Sequence, residues 1–506
     1  MLIREDMIRK IKQSFQWDVI VIGGGATGLW CALDASSRGY KTLLIEKEDF
    51  ASKTSSKSTK LFHGGLRYLK QGHISLVREA LIERDLLAKN APHLVSSRPF
   101  LIPYYRFWEK IYYSIGMQVY DFFTGNSVFQ NHKTLSTSSC LKRCPTLNPN
   151  GLKGGCLYFD GQFDDTRFAI ELAKTIDEHG GTVLNYCTCH TLIKQSGKLT
   201  GIGIIDQLTD EFIEVQGKVI INATGTYVDE IRKLDTMTVQ PMITYSQGSH
   251  IVLDSSFLPS ETAIIVPKTK DNRVIFIIPW LNKVLIGTTD IKIAPTLSKD
   301  PIPTQSEIQF LLDEAGNYLQ KKPKLKDIRS IFSGVRPLIA SSKAQKTSKL
   351  SRSHKILISN SGLVTIAGGK WTTSRKIAED TINKAITVGH LEPILCKTKS
   401  VIIHKTLRDP KQKPLHSDFP YTEEDIKRAV TEELAITLID VLARRTRALF
   451  LDVDKSLELA PKVVQIMAKY LEKDQNWVAI ELNQYRKYAI SYQIFSPDEQ
   501  KAANSS

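Results

Sequence analysis

Three glycines and one acidic residue near the N-terminus carry the strongest chemical signal in the chain. Gly23, Gly25 and Gly28 form a GxGxxG motif, and Glu46 follows at the spacing of the dinucleotide fingerprint. In this motif the first glycine makes a tight turn, the second lets backbone approach a pyrophosphate, and the third lets a helix pack closely on a strand. A carboxylate at the position of Glu46 can accept hydrogen bonds from an adenosine ribose. These residues predict a dinucleotide-binding site.

The segments around these residues have the order that such a site needs. Asp18–Ile22 is a short Val/Ile-rich run, which is typical of a buried parallel strand. The residues from the glycines to Ser37 are predicted to form a helix that Gly39 ends, and Lys41–Ile45 a second buried strand. The N-terminus of that helix would offer free N–H groups and a positive dipole end to the phosphates.

Polar or glycine-rich segments recur later in the chain beside predicted strands. The hydroxyl-rich loop Ala51–Thr59 can fold back over the nucleotide, and it runs into Lys60–Leu69, which contains His-Gly-Gly. Residues 218–225 read as a buried strand that ends in a glycine close to the same nucleotide. Leu363–Ala367 is another buried strand, and the residues from Gly368 begin a second helix N-terminus suited to an anion. This last segment is not a P-loop, because it lacks the earlier glycine.

A chain of 506 residues is long enough for two or more domains. Ser249–Leu253, Arg273–Pro279 and Val284–Gly287 read as strands joined by short turns, which predicts an antiparallel layer facing the substrate. After a proline-containing linker at 405–420 the pattern is helical, with predicted helices at Glu423–Glu433, Ile436–Phe450, Ser456–Leu471 and near Trp477–Tyr492. The expected fold class is α/β: a Rossmann-like nucleotide-binding domain interleaved with an antiparallel-sheet substrate domain, plus an all-helical C-terminal domain.

Charge and cysteine content restrict the partners and the compartment. The 68 basic and 53 acidic residues give a formal charge of +15, which favours a phosphorylated substrate, an acidic membrane surface or a nucleic acid. The basic residues are dispersed rather than interleaved with aromatics, which argues against a nucleic acid. The seven cysteines include no CxxC pair, which indicates reduced thiols in a reducing compartment. The N-terminal residues lack the pattern of a signal or transit peptide, and no run resembles a membrane span.

Residues 104–123 are unusually aromatic and include Tyr104, Tyr105, Phe107 and Trp108. Charged residues interrupt the run, so it is not expected to cross a bilayer. We expect it to pack in a core. An interfacial patch, with the aromatic rings at the level of the lipid headgroups, is the alternative.

Other catalytic motifs are missing from the sequence. It has no GxSxG nucleophile elbow, no HExxH and no zinc-ligand spacing, and we expect no metal centre. What remains is a bound dinucleotide, a layer of antiparallel strands and cationic residues near glycine-rich turns. This combination indicates a flavoprotein oxidoreductase that acts on an anion.

Motifs spread along nearly the whole chain resemble FAD-dependent glycerol-3-phosphate dehydrogenase. They are GGGATG, KTSSKSTKLFHGGLRYL, DGQFDDTR, NATG, GSHIVL, IPW with IGTTD, SGVRPL, AGGKWTTSRK and LARRTRALFLD. HGGLRYL, SGVRPL and GGKWTT are far more specific than GxGxxG. The resemblance turns the predicted dinucleotide into FAD and the predicted anion into glycerol 3-phosphate.

The resemblance also implies roles for individual residues. It implies FAD contacts from Gly23, Gly25, Gly28, Glu46, Thr54, Ser55, Ser56, Lys60, Leu61, His63, Gly64, Asp290, Lys370 and Thr372. It implies a phosphate-binding cluster of Arg67, Tyr68, Arg336, Arg352 and Lys370. It places His250 near the reacting carbon, and we interpret His250 as the base and Arg336 as the group that stabilises the developing oxyanion.

The implied domains are an FAD-dependent oxidoreductase domain over 1–395 and a helical C-terminal domain over 396–506. The substrate part of the first domain would lie mainly in 96–149 and 241–349.

The implied reaction is oxidation of sn-glycerol 3-phosphate at C2 to dihydroxyacetone phosphate, with hydride transfer to FAD and electrons passed to a quinone. Two alternatives stay open: a glycerophosphate oxidase that uses oxygen, and an amine or 2-hydroxy-acid oxidase of the same superfamily. The second would need one arginine for a carboxylate rather than several cations for a phosphate dianion. We expect a cytoplasmic protein held peripherally on the cytoplasmic face of the membrane, without nucleic acid. Whether it forms a homodimer stays open.

Overall fold

The computed structural model describes residues 1–65, 74–124, 127–267, 269–271, 273–294, 300–340, 354–409 and 411–494. The strands are β1 (Trp17–Ile22), β2 (Thr42–Ile45), β3 (Leu61–Phe62), β4 (Val95–Tyr104), β5 (Lys133–Leu135), β6 (Gly154–Phe163), β7 (Thr182–Leu184), β8 (Cys187–Gln195), β9 (Lys198–Asp206), β10 (Glu211–Asn222), β11 (Ile243–Asp254), β12 (Ala263–Val266), β13 (Ile275–Trp280), β14 (Lys283–Gly287), β15 (Ile291–Ile293), β16 (Ile328–Ile339), β17 (His354–Ile358) and β18 (Val364–Gly368). The helices are α1 (Arg4–Gln13), α2 (Ala26–Arg38), α3 (Ile74–Asn90), α4 (Phe107–Thr124), α5 (Thr137–Arg143), α6 (Asp165–Glu178), α7 (Val228–Asp235), α8 (Gln305–Gly316), α9 (Ser374–Val388), α10 (Glu423–Glu432), α11 (Ala448–Leu451), α12 (Val453–Leu471) and α13 (Gln475–Ile490).

The first sheet is the predicted nucleotide-binding sheet. Its strands lie in the order β17-β18-β10-β1-β2-β7, and all neighbours from β18 to β7 are parallel. The apolar residues of β1 form a strand that is buried on both faces, as parallel strands require. Gly23, at φ +111°, turns the chain from β1 into α2, and Gly39, at φ +105°, ends that helix.

The second sheet is built mostly from antiparallel pairs, in the order β15-β11-β14-β13-β12-β4-β6-β3, with β16 also paired to β11. Its long central pair joins β11 to β16, and Ser246 lies opposite Arg336. The expected α/β fold, with an antiparallel layer beside a Rossmann-like sheet, is therefore confirmed. β6 also belongs to this sheet although it lies outside the predicted substrate segments 96–149 and 241–349, and the domain division stays a prediction.

The C-terminal residues are mostly helical, and they share a hydrophobic core with the second sheet rather than forming one of their own. Phe450, for example, packs edge-to-face on Phe332 of β16, with ring centroids 4.8 Å apart. The predicted single helix Ile436–Phe450 is wrong. Asp440–Arg445 forms a π-helix, and the chain then turns at Arg447 before α11 begins.

Helix α4 corrects the expectation that residues 104–123 pack in a core. Tyr104, Met117 and Tyr120 are buried, but other apolar residues of α4 are exposed at helical spacing. We call this set the α4 stripe: Phe107, Trp108, Ile111, Tyr112, Ile115, Val119 and Phe122. In the described part of the chain, no helix combines the length and the apolar character needed to cross a bilayer.

Candidate active site

The carboxyl ends of three parallel strands meet at one edge of the first sheet. Ile22 of β1 pairs with Ile45 of β2 on one side and with Asn222 of β10 on the other. The residues that follow these strands, including Gly23 and Glu46, therefore stand together. This is the edge at which open α/β sheets bind ligands.

Glu46 is held at this edge by backbone donors. Its carboxylate accepts hydrogen bonds from the N–H groups of Gly24, at 2.6 Å, and Glu48, at 2.9 Å. Burial raises the pKa of Glu46, and the two N–H donors oppose that shift. A carboxylate has about four lone-pair sites, so Glu46 can accept further bonds from a ligand hydroxyl.

The motif glycines serve two different purposes. A Cβ on Gly28 would overlap the carbonyl oxygen of Gly23, so Gly28 lets α2 begin in close contact with the turn after β1. A Cβ on Gly25 would meet only Ser55 Oγ, at 3.2 Å. Since Gly25 lines the adjoining cavity, the missing side chain there leaves room for a ligand rather than for the protein.

A cavity of about 1010 Å³ runs from this edge to the second sheet. Its walls include the turn after β1, the loop after β2, residues of β11 and β16, and the segment Gly368–Thr372. Cavities that hold small molecules usually measure about 300–1,000 Å³, so this one has room for a ligand as large as a dinucleotide.

The loop 51–60 lies against the cavity and is tied down from several sides. Ser55 Oγ accepts a hydrogen bond from Ala26 N at 3.0 Å, and Trp371 Nε1 donates to Ser55 O at 2.9 Å. Thr54 Oγ1 donates to Val335 O at 2.6 Å. This hydroxyl-rich segment is therefore an ordered wall of the site, as its position after β2 predicted.

His250 of β11 lies on the same wall. Its imidazole stacks on Phe332, with ring centroids 4.7 Å apart and an interplanar angle of 13°. Its Nε2 lies 3.0 Å from Thr59 Oγ1, and its Nδ1 has no hydrogen-bond partner among the described residues. Burial first, and then the positive charges of Lys60 and Arg336, hold the pKa of His250 well below its usual value.

Arg336 of β16 lies beside His250 and is fixed by backbone and hydroxyl groups. Its Nη1 donates to Thr289 O at 3.2 Å and its Nη2 to Thr288 Oγ1 at 2.9 Å. The guanidinium also lines the cavity. A buried imidazole and a permanent cation thus lie on the same cavity wall.

Protein-family models and known proteins both match this chain over most of its length. The model of the FAD dependent oxidoreductase family matches residues 18–375, and that of the C-terminal domain of alpha-glycerophosphate oxidase matches residues 364–477. The mitochondrial glycerol-3-phosphate dehydrogenase of Bos taurus is 37% identical over 96% of this chain and 75% of its own length. That of Saccharomyces cerevisiae is 34% identical over 94% of this chain and 90% of its own. The chain belongs to the FAD-dependent glycerol-3-phosphate dehydrogenase family.

A solved structure from the same family has the same fold. The glycerol-3-phosphate dehydrogenase from Bacillus halodurans, complexed with FAD, superposes with a TM-score of 0.77 at 26% identity, over 97% of this chain and 98% of that one. FAD also fits the residues present here. Gly25 leaves backbone open to a pyrophosphate, the N-terminus of α2 faces the cavity edge, and Glu46 presents a carboxylate.

The structure brings most of the family's predicted site residues onto the cavity wall. Those that line it are Gly23, Gly25, Glu46, Thr54, Ser55, Leu61, His63, His250, Asp290, Arg336, Lys370 and Thr372. Gly28, Ser56, Lys60 and Gly64 are not among the lining residues, although they were predicted to contact FAD. Arg67, Tyr68 and Arg352 lie outside the described residues, so their place in the phosphate cluster stays a prediction.

The residues that miss the wall have identifiable positions behind it. Lys60 is buried, and its Nζ donates to Asp165 Oδ2 at 2.5 Å and to Ser56 O at 2.6 Å. Gly64 N donates to Tyr120 OH at 3.0 Å. Lys60 and Gly64 thus have protein partners behind the wall, and their contacts with FAD stay predictions.

Two glycines in the strands make room for the reactive side chains, and sequence reasoning missed both. A Cβ on Gly287 would overlap the His250 ring, and a Cβ on Gly248 would overlap the Arg336 guanidinium. A glycine inside a strand is a signal of close approach. Gly248 in GSHIVL and Gly287 in IGTTD could therefore have been identified as parts of the site.

Proposed function

We propose that the chain oxidises sn-glycerol 3-phosphate at C2 to dihydroxyacetone phosphate. The observation that carries the proposal is the pairing of His250 and Arg336 on the wall of a cavity that also contains the dinucleotide cradle. FAD, when bound, accepts the hydride that C2 loses.

In this reaction His250 would take the proton of the C2 hydroxyl. We assign Nε2 as the accepting atom, because Nε2 faces Thr59 on the cavity wall whereas Nδ1 is buried beside no described partner. The low pKa of His250 keeps the ring neutral at neutral pH, which is the state that a base needs. The Arg336 guanidinium, already oriented by Thr288 and Thr289, would stabilise the negative charge that develops on the oxygen.

The substrate phosphate would bind to cations of the cavity wall. Lys370 and Arg336 line the cavity, and Arg67, Tyr68 and Arg352, which lie outside the described residues, would complete the proposed cluster. Guanidinium groups bind phosphate through paired charge-assisted hydrogen bonds. A site with several cations favours a phosphate dianion over the single carboxylate of an amine or 2-hydroxy acid.

Anaerobic absorbance spectroscopy of the purified holoprotein tests this proposal directly. Addition of glycerol 3-phosphate should bleach the flavin band, whereas glycerol, lactate and glycine should leave it unchanged. Phosphoglycolate should slow the bleaching by competition. Reduction by glycine or lactate, without effect of phosphoglycolate, would instead assign the chain to the amine or 2-hydroxy-acid oxidases.

We further propose a quinone as electron acceptor and a peripheral position on the cytoplasmic face of the membrane. The α4 stripe supports this, because Tyr112 and Ile115 belong both to the stripe and to the cavity wall. A lipid surface covering the stripe would therefore adjoin the cavity, and an apolar quinone could reach it without crossing water. Turnover with a soluble quinone under nitrogen, compared with oxygen consumption in air, separates this acceptor from the oxygen of a glycerophosphate oxidase.

A further inference from the structure

Arg447, in the C-terminal part of the chain, reaches into the loop that lines the cavity. Its side chain is buried, and its Nη2 donates to Ser56 O at 2.9 Å. Its Nη1 donates to Ala443 O at 2.9 Å, and Nη2 lies 3.3 Å from Asp165 Oδ1. One guanidinium therefore connects the end of the π-helix, the cavity loop and the start of α6.

Lys60 shares both acceptors with Arg447. The ammonium donates to Ser56 O and to the other oxygen of Asp165. Both cations also lie over aromatic rings, since Arg447 is 4.1 Å and Lys60 5.6 Å from the centroid of Phe450. Two buried cations, one carboxylate and one carbonyl thus form a closed cluster behind the loop.

The loop connects this cluster to the cavity wall that carries His250. Ser56 ends the 3₁₀ turn Thr54–Ser56, and Thr54, Ser55 and Thr59 line the cavity. Thr59 in turn contacts His250 through its hydroxyl. A shift of Ser56 O would therefore move groups on the cofactor side and on the base side together.

The same C-terminal segment holds a second point of the connection between β2 and β3. Arg445 donates to both oxygens of Asp49, at 2.7 and 2.9 Å, and Arg444 Nε donates to Asp49 Oδ2 at 2.5 Å. Asp49 lies three positions after Glu46, which receives the ribose in the proposed site. The LARRTRALFLD segment thus contacts the connection between β2 and β3 at two points, Asp49 and Ser56.

The backbone of Arg447 indicates that its side chain is required. Its φ is +66°, in the left-handed region that glycine adopts most readily. Residues kept in such conformations concentrate at functional sites. The unfavourable backbone conformation of Arg447 is offset by the hydrogen bonds of its guanidinium.

We propose that Arg447 is a positioning residue of the active site, through which the C-terminal helices hold the loop 54–60 and the Lys60–Asp165 pair in the arrangement that FAD and His250 need. This proposal depends on the proposed function in one respect only, the role of His250 as the base. The contact with the cofactor loop can be tested without any turnover.

A pH-dependent consequence follows from the charges around Lys60. The charged and titratable groups that face it are Arg447, Asp165, Asp164 and His250. Burial, followed by the charge of Arg447, lowers the pKa of Lys60 to about 7, and Asp165 opposes this shift. Loss of the Arg447 charge would therefore raise the pKa of Lys60.

The experiment compares Arg447→Met, Arg447→Lys and the control Arg428→Met in the full chain. Arg428 also pairs with buried acids of the C-terminal helices but does not touch the cavity loop. Three quantities are measured for each protein. They are the affinity for FAD after the bound FAD has been removed, the rate of anaerobic flavin reduction across pH 5.5–9, and the temperature of thermal unfolding.

Arg447→Met should bind FAD on the order of tenfold more weakly, since the loop loses a charge-assisted hydrogen bond. The pH dependence that Lys60 gives to the reduction rate should lie at higher pH in Arg447→Met than in the wild type. Arg447→Lys should keep the wild-type pH profile because it keeps the charge. It should still bind FAD more weakly, because a single nitrogen replaces the separate Nη1 and Nη2 donors that reach Ala443 O and Ser56 O. Arg428→Met should retain the wild-type FAD affinity and pH profile even where its thermal stability falls.

Wild-type FAD affinity and pH profile in Arg447→Met would overturn the proposal. If Arg447→Met does not fold, wild-type FAD affinity in Arg447→Lys would do so. A wild-type protein that glycerol 3-phosphate fails to reduce would contradict the proposed function, while the FAD titrations would still decide the role of Arg447.

Discussion

The hydroxyl of Thr59 lies 3.0 Å from Nε2 of His250 and joins the cofactor loop to the strand that carries the proposed base. Stacking on Phe332 fixes the plane of the imidazole, and the hydroxyl fixes the ring within that plane. Gly287 supplies the space that the ring occupies. The position of the proposed base therefore depends on three strands of the second sheet and on one loop.

His250→Asn should lower the rate of anaerobic flavin reduction by roughly 10²–10⁴, the usual effect of removing a general base. The substrate dissociation constant should change much less, because the proton moves only in the transition state. Stopped-flow absorbance at varied glycerol 3-phosphate gives both quantities. His179→Asn, at an exposed position after α6, is the control. A wild-type reduction rate in His250→Asn would exclude it as the base.

Gly25 and Gly28 should respond differently to the same small substitution. A Cβ on Gly25 would crowd only Ser55 Oγ, at 3.2 Å, which a small shift of that side chain relieves. After removal of FAD, Gly25→Ala should therefore unfold near the wild-type temperature but bind FAD at least tenfold more weakly. Gly28→Ala forces a Cβ onto the Gly23 carbonyl and should lower the unfolding temperature even without FAD. Calorimetry of the stripped proteins, followed by FAD titration, makes the comparison. Equal loss of stability in both would refute the separation of roles.

The α4 stripe should govern attachment to lipid. Trp108 and Phe122 are 57% and 81% exposed, and insertion of one large apolar side chain contributes roughly 1.5–3 kcal/mol. Trp108→Ser with Phe122→Ser should therefore reduce binding to vesicles more than tenfold, without changing flavin reduction by substrate. Leu395→Ser is the control, because Leu395 is 88% exposed on another part of the surface. Sedimentation with anionic and with neutral vesicles also shows how much of the membrane binding is electrostatic. Undiminished binding by the double variant would remove α4 from the membrane contact.

Sequence patterns predicted those features of the fold and the site that depend on residues close together in the chain. The GxGxxG turn, its flanking strands and Glu46 all stand where the sequence indicated. Asp164 caps α6 by accepting hydrogen bonds from Thr166 N and Arg167 N. In each case the cause lies within a few residues of the effect.

Pairings between distant segments could not be predicted in the same way. Lys60 and Asp165 are 105 positions apart, and neither residue type nor spacing indicates that their charges meet in the interior. Resemblance alone suggested a flavin contact for Lys60. The α4 stripe shows the same limit, because an aromatic composition does not tell which helix face the rest of the chain covers. The π-helix at Asp440–Arg445 is a further example, because its arginines pair with Asp49, almost 400 positions away, and apolar periodicity did not indicate it.

Buried acids at the C-terminal segment should make the protein sensitive to acid. Beside their arginine partners, the pKa of Asp49 and that of Glu433 are lowered to about 2 against the opposing effect of burial. Because both values lie below those of an unfolded chain, the stabilisation is complete above about pH 5 and is lost as the pH falls towards 2. A shift of about two pKa units corresponds to roughly 2–3 kcal/mol for each group.

The unfolding temperature of the wild type should accordingly stay level from pH 7 to about pH 5 and then fall steeply. Asp49→Asn should unfold at a lower temperature throughout, because Arg444 and Arg445 remain buried without their shared carboxylate. Its decline below pH 5 should nevertheless be shallower, since one titrating group is gone. Asp6→Asn, which removes an exposed pair with Arg9 on α1, should follow the wild-type slope. Equal slopes for wild type and Asp49→Asn between pH 5 and pH 3 would show that the acid transition originates elsewhere in the chain.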